Sequence, residues 1–244
     1  MVFGSPMSKL KIVITSGGTR EYVDDVRVLT NISSGRLGAK IADKFLQHGH
    51  EVTYVSSKNA ITPASCFTGQ YGHRPIGDTG SVMEVMKELV PQSHVVIQAM
   101  AVSDFTFDLK EAIKISSEDP EAFIEHMRRT IRITPKIISY FRDWNEKAIL
   151  VGFKFTVGKT KKELSSIAEK LMEDNRLDMV FANDKTQMQK EHEHVGMLIK
   201  KDFTGKFERR HVRNKEEIVE VIYSNVMMTR RFERADLPET PVKE

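Results

Sequence analysis

The sequence predicts an α/β fold: a doubly wound, mostly parallel sheet with helices on both faces and a small β-rich extension. Three observations predict it. Short apolar runs alternate with stretches of helical periodicity, glycine- and serine-rich turns follow the runs, and residues 195–200 and 206–211 alternate in polarity about Asp202–Gly205. Strand and helix in alternation imply right-handed crossovers, hence parallel strands covered on both faces. The alternating pair reads as a hairpin.

The elements follow in order. Residues 10–15 form a buried strand that ends on Ser16-Gly17-Gly18. From Gly35 to His48, Leu37, Ile41, Phe45 and Leu46 recur at helical spacing, and Gly49 closes the helix. A strand at 52–55, a helix over Ser81–Val90 and a strand at 95–97 come next. Phe105–Ser117 has no clean period and predicts an irregular, mobile arm. A helix near Pro135–Trp144, a strand at 149–151, a helix over Lys161–Asp174 and a strand at 179–181 restore the rhythm. After the hairpin, Lys215–Met228 makes a last helix. The order is Rossmann-like. Residues 1–6 read as an expression scar, 7–230 as one domain and 231–244 as a disordered tail.

Composition narrows the classes. The chain has 244 residues, 40% hydrophobic and 29% charged, with a net charge of +3, enough apolar content to offset the entropy of folding. One cysteine, Cys66, excludes a disulfide framework and a cysteine metal knuckle. No apolar run approaches the roughly 20 residues of a membrane span. The basic clusters Lys159-Lys161-Lys162 and Arg209-Arg210-Arg213 read as solvated faces, and neither nucleic acid nor membrane is an expected partner. A cytoplasmic location is expected. His192 and His194 lie two apart and would share a face only on a strand, so no metal cage is expected.

Two glycine-rich segments carry the chemistry. Ser16-Gly17-Gly18-Thr19-Arg20 and Asn31-Ile32-Ser33-Ser34-Gly35-Arg36-Leu37-Gly38 meet at the carboxyl end of the first strand, where open α/β sheets bind ligands. Glycines admit phosphate to the backbone, and a helix N-terminus offers unpaired N–H groups. Neither a Walker loop nor a three-glycine dinucleotide fingerprint is present. Arg20 and Arg27 suit phosphate or carboxylate through their forked donors. Asn31 at a helix entrance either donates to a developing oxyanion or caps the helix. Asp104, just past the strand at 95–97, is either a crevice residue that holds a ribose hydroxyl or a metal-bridged phosphate or a plain loop Asp, and Lys114 on the arm either closes over a triphosphate or is a solvated Lys. Phe153 suits stacking on a base, and Asn183 a phosphate or hydroxyl.

Together these segments resemble phosphopantothenoylcysteine synthetase (phosphopantothenate–cysteine ligase). The resemblance rests on Thr15–Glu21, Asp25-Val26-Arg27, Asn31–Gly38, Ala101-Val102-Ser103-Asp104, Lys114–Ser117, Thr134–Ile138, Val151-Gly152-Phe153-Lys154 and Ala182-Asn183-Asp184, in that order and over nearly the whole chain. It implies a two-step ligation in coenzyme A synthesis. The carboxylate of 4'-phosphopantothenate attacks the α-phosphate of CTP, releasing pyrophosphate, and the amine of L-cysteine then displaces CMP from the acyl-cytidylate. With no decarboxylase domain ahead of residue 7, the chain resembles the stand-alone bacterial form, which uses CTP rather than ATP.

The resemblance also implies roles. Gly17, Ser33, Gly35 and Gly38 line the triphosphate. Asn31 holds the acyl-nucleotide, Lys114 assists the first half-reaction, Asp104 contacts nucleotide and intermediate, and Ala101 contributes backbone. Pro135, Lys136, Ile137, Ile138 and Phe153 form the base pocket, with Lys170 a further nucleotide contact. Arg27 and Asn183 meet phosphopantothenate, Arg27 across a homodimer interface. Mg2+ accompanies the CTP, with no flavin and no NAD. Tyr22 and Asp25 stand where relatives carry proline, Met100 where they carry alanine, and Ser116-Ser117 where many carry lysines. Two other classes compete: a nicotinamide-dependent oxidoreductase, suggested by the order of elements but opposed by Ser56-Ser57 where an acidic residue would end the second strand, and a non-catalytic nucleotide-binding regulator.

Overall fold

The computed structural model describes residues 9–65, 70–108, 114–116 and 118–235, the last six by backbone only. Twelve strands and seven α-helices are described. In chain order they are β1 (Lys11–Ser16), β2 (Arg20–Tyr22), β3 (Val28–Thr30), α1 (Arg36–Gln47), β4 (Glu51–Ser57), β5 (Tyr71–Ile76), α2 (Thr79–Leu89), β6 (Val95–Gln98), β7 (Phe105–Phe107) and α3 (Pro120–Thr130). There follow β8 (Ile131–Ile133), α4 (Phe141–Trp144), β9 (Ile149–Thr156), α5 (Lys161–Asp174), β10 (Met179–Asp184), α6 (Lys185–Glu191), β11 (Gly196–Lys201), β12 (Phe207–Val212) and α7 (Lys215–Ala235).

One eight-stranded sheet runs β12-β11-β10-β9-β6-β1-β4-β5. Its first six strands in the chain are parallel, and β11 and β12 add an antiparallel hairpin at one edge. Numbered by chain order, the parallel strands lie 3-2-1-4-5-6, so the order reverses between β1 and β6.

Alternation along each strand builds two cores. Ile12 and Ile14 of β1, Tyr54 of β4 and Phe181 of β10 face α1 and α7, meeting Ile41, Phe45, Ile222 and Val226. Val13, Val55, Val96 and Leu150 face the other way, against Met86 of α2, Phe141 of α4 and Leu164, Ala168 and Met172 of α5. Strands buried on both faces are what near-continuous apolar runs produce. The helices start where local chemistry starts them. Asp78 caps α2 in a reciprocal box with Ser81, and Thr160 and Glu163 do the same for α5.

Several sequence expectations need correction. Phe105–Phe107 is a strand, paired antiparallel with β8; residues 109–113 and 117 of the expected arm lie outside the described residues. The helix expected near Pro135–Trp144 is a 3-10 turn, Ile137–Tyr140, followed by the single turn of α4, and it excludes Pro135 and Lys136. The excursion between Gly18 and Asn31 is the β2–β3 hairpin. β5, α3 and α6 were not expected: β5 is an edge strand carrying Gly72 and Pro75, which strand patterning does not favour. Helix α7 continues to Ala235, into the expected tail; residues 236–244, Cys66 and residues 1–8 lie outside the described residues. His192 ends α6 and His194 follows it, neither on a strand.

Candidate active site

The crevice at the reversal point begins where β1 runs into Gly17 and Gly18. Gly17 has φ +82°, and a Cβ there would stand 2.5 Å from Ser57 Oγ and 2.8 Å from the Ala60 Cβ. Only glycine makes this turn. Gly18 bridges Ala101 three residues beyond the last β1–β6 pair, Thr15 with Gln98: Ala101 N–H donates to Gly17 O at 2.9 Å and Thr19 N–H to Ala101 O at 3.2 Å. Ser103 N–H donates to Thr19 Oγ1 at 2.9 Å, Thr134 Oγ1 to Ser103 O at 2.5 Å, and Thr134 N–H to Asp104 O at 3.1 Å. Segments 17–19, 101–104 and 134 thus share one frame, from which the Asp104 side chain stands exposed.

The second glycine segment is seated on the same floor. Ser16 Oγ donates to Gly35 O at 2.9 Å, the Tyr54 hydroxyl to Ile61 O at 2.8 Å, and Ile61 N–H to Ser34 O at 3.0 Å. Burial pushes the Tyr54 hydroxyl up to about 12, so it stays protonated and remains a donor. Gly35, at φ +72°, is the N-cap of α1 and supplies no side-chain acceptor. The first turn of α1 therefore brings N–H groups and a positive dipole end to the crevice, the arrangement anions select. Ser33 is half-buried in this loop. Asn31 is not the cap. Its Nδ2 donates instead to Val102 O at 3.2 Å, across the crevice. Gly38 is buried one turn into α1, where a Cβ would overlap Ser16 Oγ; the structure gives it helix-on-strand packing rather than an open surface.

Arg27 stands in the turn between β2 and β3, and its Nη1 pairs with Asp24 Oδ2 at 2.6 Å. Asp24, fully buried, was missed by the sequence reading. Its signal was modest: an Asp three residues before an Arg, with the turn-forming habit of Asp. Burial raises its carboxyl, but the N–H groups of Val26, Arg27 and Ile115 and the Arg27 guanidinium outweigh that and hold it below the usual carboxylate range. Lys114, next to Ile115, is exposed.

The remaining predicted residues are more dispersed. Pro135 and Lys136 are exposed beside Thr134, while Ile137 is buried in the α5-side core, with Ile138 packed against it. Phe153 belongs to the opposite face of the sheet, its ring 5.5 Å from that of Phe181. The structure therefore does not bring Phe153 and the Ile137–Ile138 side chains to one wall. Asn183 is buried on β10, with Nδ2 3.2 Å from Met188 Sδ. Lys170 lies on α5 with its Nζ 3.1 Å from Asp174. That helix leaves the carboxyl edge of the sheet at Lys161, so Lys170 sits about 13 Å further along the axis at 1.5 Å per residue; Lys161 and Lys162, not Lys170, open on that edge. An open groove of about 590 Å³ near Lys159, Lys190 and Arg213 lies at the end of β10, three strands from β1.

The model of the DNA/pantothenate metabolism flavoprotein C-terminal domain family matches residues 7–229. The chain belongs to this family. It is 32% identical over 217 residues, 88% of its length, to the coenzyme A biosynthesis bifunctional protein CoaBC of Thermococcus kodakarensis, of which it covers 50%. It spans about half the length, or somewhat less, of the curated relatives it matches. Among solved structures it resembles the DNA/pantothenate metabolism flavoprotein from Streptococcus pneumoniae at 32% identity and TM-score 0.75, over 90% of this chain and 99% of that one. A Cab2 H337A mutant in complex with phosphopantothenate-cysteine matches with TM-score 0.71 over 92% of this chain and 89% of that one; at 17% identity it shows the shared fold alone. The dinucleotide alternative is not favoured, although the strand order is that of dinucleotide-binding sheets.

Proposed function

We propose that this chain is a phosphopantothenate–cysteine ligase that joins 4'-phosphopantothenate to L-cysteine at the expense of CTP. One observation carries the reading. The N-terminus of α1, where the Gly35 cap supplies no side-chain acceptor, and the Gly17–Gly18 turn meet at the reversal point of the sheet, and Asn31, Ala101 and Asp104 stand on the same hydrogen-bonded frame. Family membership, the names of the curated relatives and the product held by the Cab2 neighbour agree with it.

In the first half-reaction a carboxylate oxygen of phosphopantothenate attacks the α-phosphorus of CTP. The bond to the β-phosphate breaks and pyrophosphate leaves. The α1 N-terminus, with Gly35, Ser33 and Gly17, meets the triphosphate, and Lys114 neutralises charge that grows on the leaving group. Arg27, Ala101 and Asn183 hold phosphopantothenate, and Pro135–Ile138 offer main-chain groups to the cytosine, without the Phe153 ring, which lies on the other face of the sheet. In the second half-reaction the cysteine nitrogen attacks the acyl carbon, loses a proton, and CMP departs. The Asn31 amide donates to the oxyanion that forms on the acyl oxygen, and Asp104 contacts the nucleotide. A magnesium ion would arrive with the nucleotide, and the exposed Asp104 carboxylate at the crevice is the residue that would meet it.

The working form is a homodimer with a shared site. Ile32, Ile133, Val26, Tyr22 and Phe105 are large apolar side chains left exposed on the β2–β3 and β7–β8 arms, and β2 packs against β7. Large apolar side chains left exposed on two arms that pack together suit a partner surface. The test is pyrophosphate release from 4'-phosphopantothenate with CTP or ATP, with and without cysteine. Release with CTP, raised many-fold by cysteine, is expected. A preference for ATP would move the base-pocket reading, and release with neither nucleotide would overturn the ligase.

A further inference from the structure

Asp24 joins two segments that the chain separates by about ninety residues. Its Oδ1 accepts from Val26 N–H at 3.0 Å and Arg27 N–H at 2.7 Å, which closes the turn of the β2–β3 hairpin. Its Oδ2 accepts from Arg27 Nη1 at 2.6 Å and from Ile115 N–H at 3.4 Å. The same Nη1 donates to Ile115 O at 3.2 Å. Both main-chain polar groups of Ile115 are thus held by one ion pair, and Lys114 is the residue immediately before it. The Asp24 carboxylate is fully buried, whereas the guanidinium it holds keeps 36% of its side chain exposed. Helix α3 packs on the same knot: Arg27 lies over the Phe123 ring at 5.5 Å, and His126 Nε2 donates to Val23 O at 2.7 Å.

A buried carboxylate with four donors does not simply stabilise a surface loop. It sets the distance between the two groups it holds, because its own position is over-determined. We propose that Asp24 is a positioning residue that locks Arg27 and Lys114 into one unit, coupling the cation that receives the anionic acyl substrate to the cation that serves the nucleotide. The roles of those two cations rest on the ligase reading; the lock itself rests on the four hydrogen bonds. Substrate engaged by Arg27 then bears on the position of Lys114, through Asp24 Oδ2 and the Ile115 peptide.

The discriminating variant is Asp24→Asn. Its amide oxygen keeps the two turn bonds and its NH2 turns hydrogens on Arg27 and Ile115, so the fold is spared while the lock is broken. At saturating phosphopantothenate and CTP, pyrophosphate release is expected to fall tenfold to about a hundredfold, the scale of an ångström of misplacement. Combined with Lys114→Gln, it is expected to cost no more than about twofold beyond Lys114→Gln alone, since both remove one device. Losses that multiply would overturn the proposal, because a merely structural role acts independently of Lys114. Should Asp24→Asn not fold, Arg27→Lys keeps the cation, but its side chain is one bond shorter than the path to Nη1, the atom that meets both Asp24 and Ile115, and the same saturated rate must fall without multiplying the Lys114→Gln loss. Hydrogen exchange separates this proposal from the ligase reading. The Ile115 amide, whose acceptor Oδ2 is replaced, is expected to exchange faster in the folded variant than in the parent, while the Arg27 amide, still bonded to the retained oxygen, keeps its rate, whether or not the parent turns over; unchanged Ile115 exchange would overturn the lock, and absent turnover in the parent would overturn the ligase alone.

Discussion

Asn31 is exposed, yet its side-chain amide is already committed to Val102 O across the crevice. One hydrogen of the NH2 is spent on that bond, which orients the second. Asn31→Ala is expected to release pyrophosphate at near the parental rate in the absence of cysteine but to form the amide product more slowly, by on the order of 10²-fold, the loss of one oriented donor. Normal product formation would remove Asn31 from the second step. Lys114→Gln is expected to show the converse, a cysteine-free pyrophosphate release reduced about 10²-fold, and an unchanged rate would place the nucleotide cation elsewhere. Individual residues were legible in the sequence where their partners are near in the chain. The glycine turns and Asp104 could be placed because each sits just past a strand end. The cap role left open for Asn31 could not be settled, because Val102 lies 71 residues away. Asp24 had only its local turn signal, and its contact with Ile115, 91 residues distant, was not legible for the same reason.

Secondary structure was most legible where periodicity and capping agree. Helix α5 has the bounds its pattern gives, since Thr160 and Glu163 start it and a continuous apolar stripe of Leu164, Ala168 and Met172 runs along it. The hairpin of β11 and β12 lies within a residue of its alternation at each end. Helix α3 was missed because no residue of it is fully buried and its half-buried stripe, Phe123, His126, Met127 and Thr130, contains only two apolar side chains. The strands β2, β3, β7 and β8 are three residues each, too short for a period of two to register. Element contacts also set what a single methyl group costs. Gly38 lets α1 lie directly on β1, and a Cβ there would overlap Ser16 Oγ, the hydroxyl that supports Gly35. Gly38→Ala is expected to lower unfolding free energy by about 1–3 kcal/mol, read as a shifted denaturation midpoint at constant slope. An unshifted midpoint would mean that Ser16 swings aside, and with it the support for the phosphate loop.

Over the whole molecule, two buried carboxylates set the response to acid. Asp184 caps α6; burial raises its carboxyl, and Lys159 N–H, the Thr156 hydroxyl and the N–H groups of Gln187 and Thr186 together bring it below the usual range, as happens at Asp24. A depressed folded pKa means that the unfolded chain takes up protons first as pH falls. The stability these groups contribute is therefore complete above the ordinary Asp value of about 3.9 and is lost as pH drops through their lower folded values. Tm is expected to fall steeply below about pH 4, with a shallower acid limb in Asp24→Asn; an identical limb in that variant would assign the acid sensitivity to other groups. The Rossmann-like fold was legible from strand–helix alternation and is borne out in the 3-2-1-4-5-6 order, although alternation by itself does not state which strands are neighbours, because that depends on contacts between strands far apart in the chain. The Gly18–Ala101 bridge carries that order past the last ladder pair and sews the two halves of the sheet together at their seam. A crevice with a stitched seam cannot be pried wider by a bulkier guest. Variants selected to accept a longer acyl chain or a different amine should therefore accumulate changes in the two short-stranded arms and leave the floor untouched.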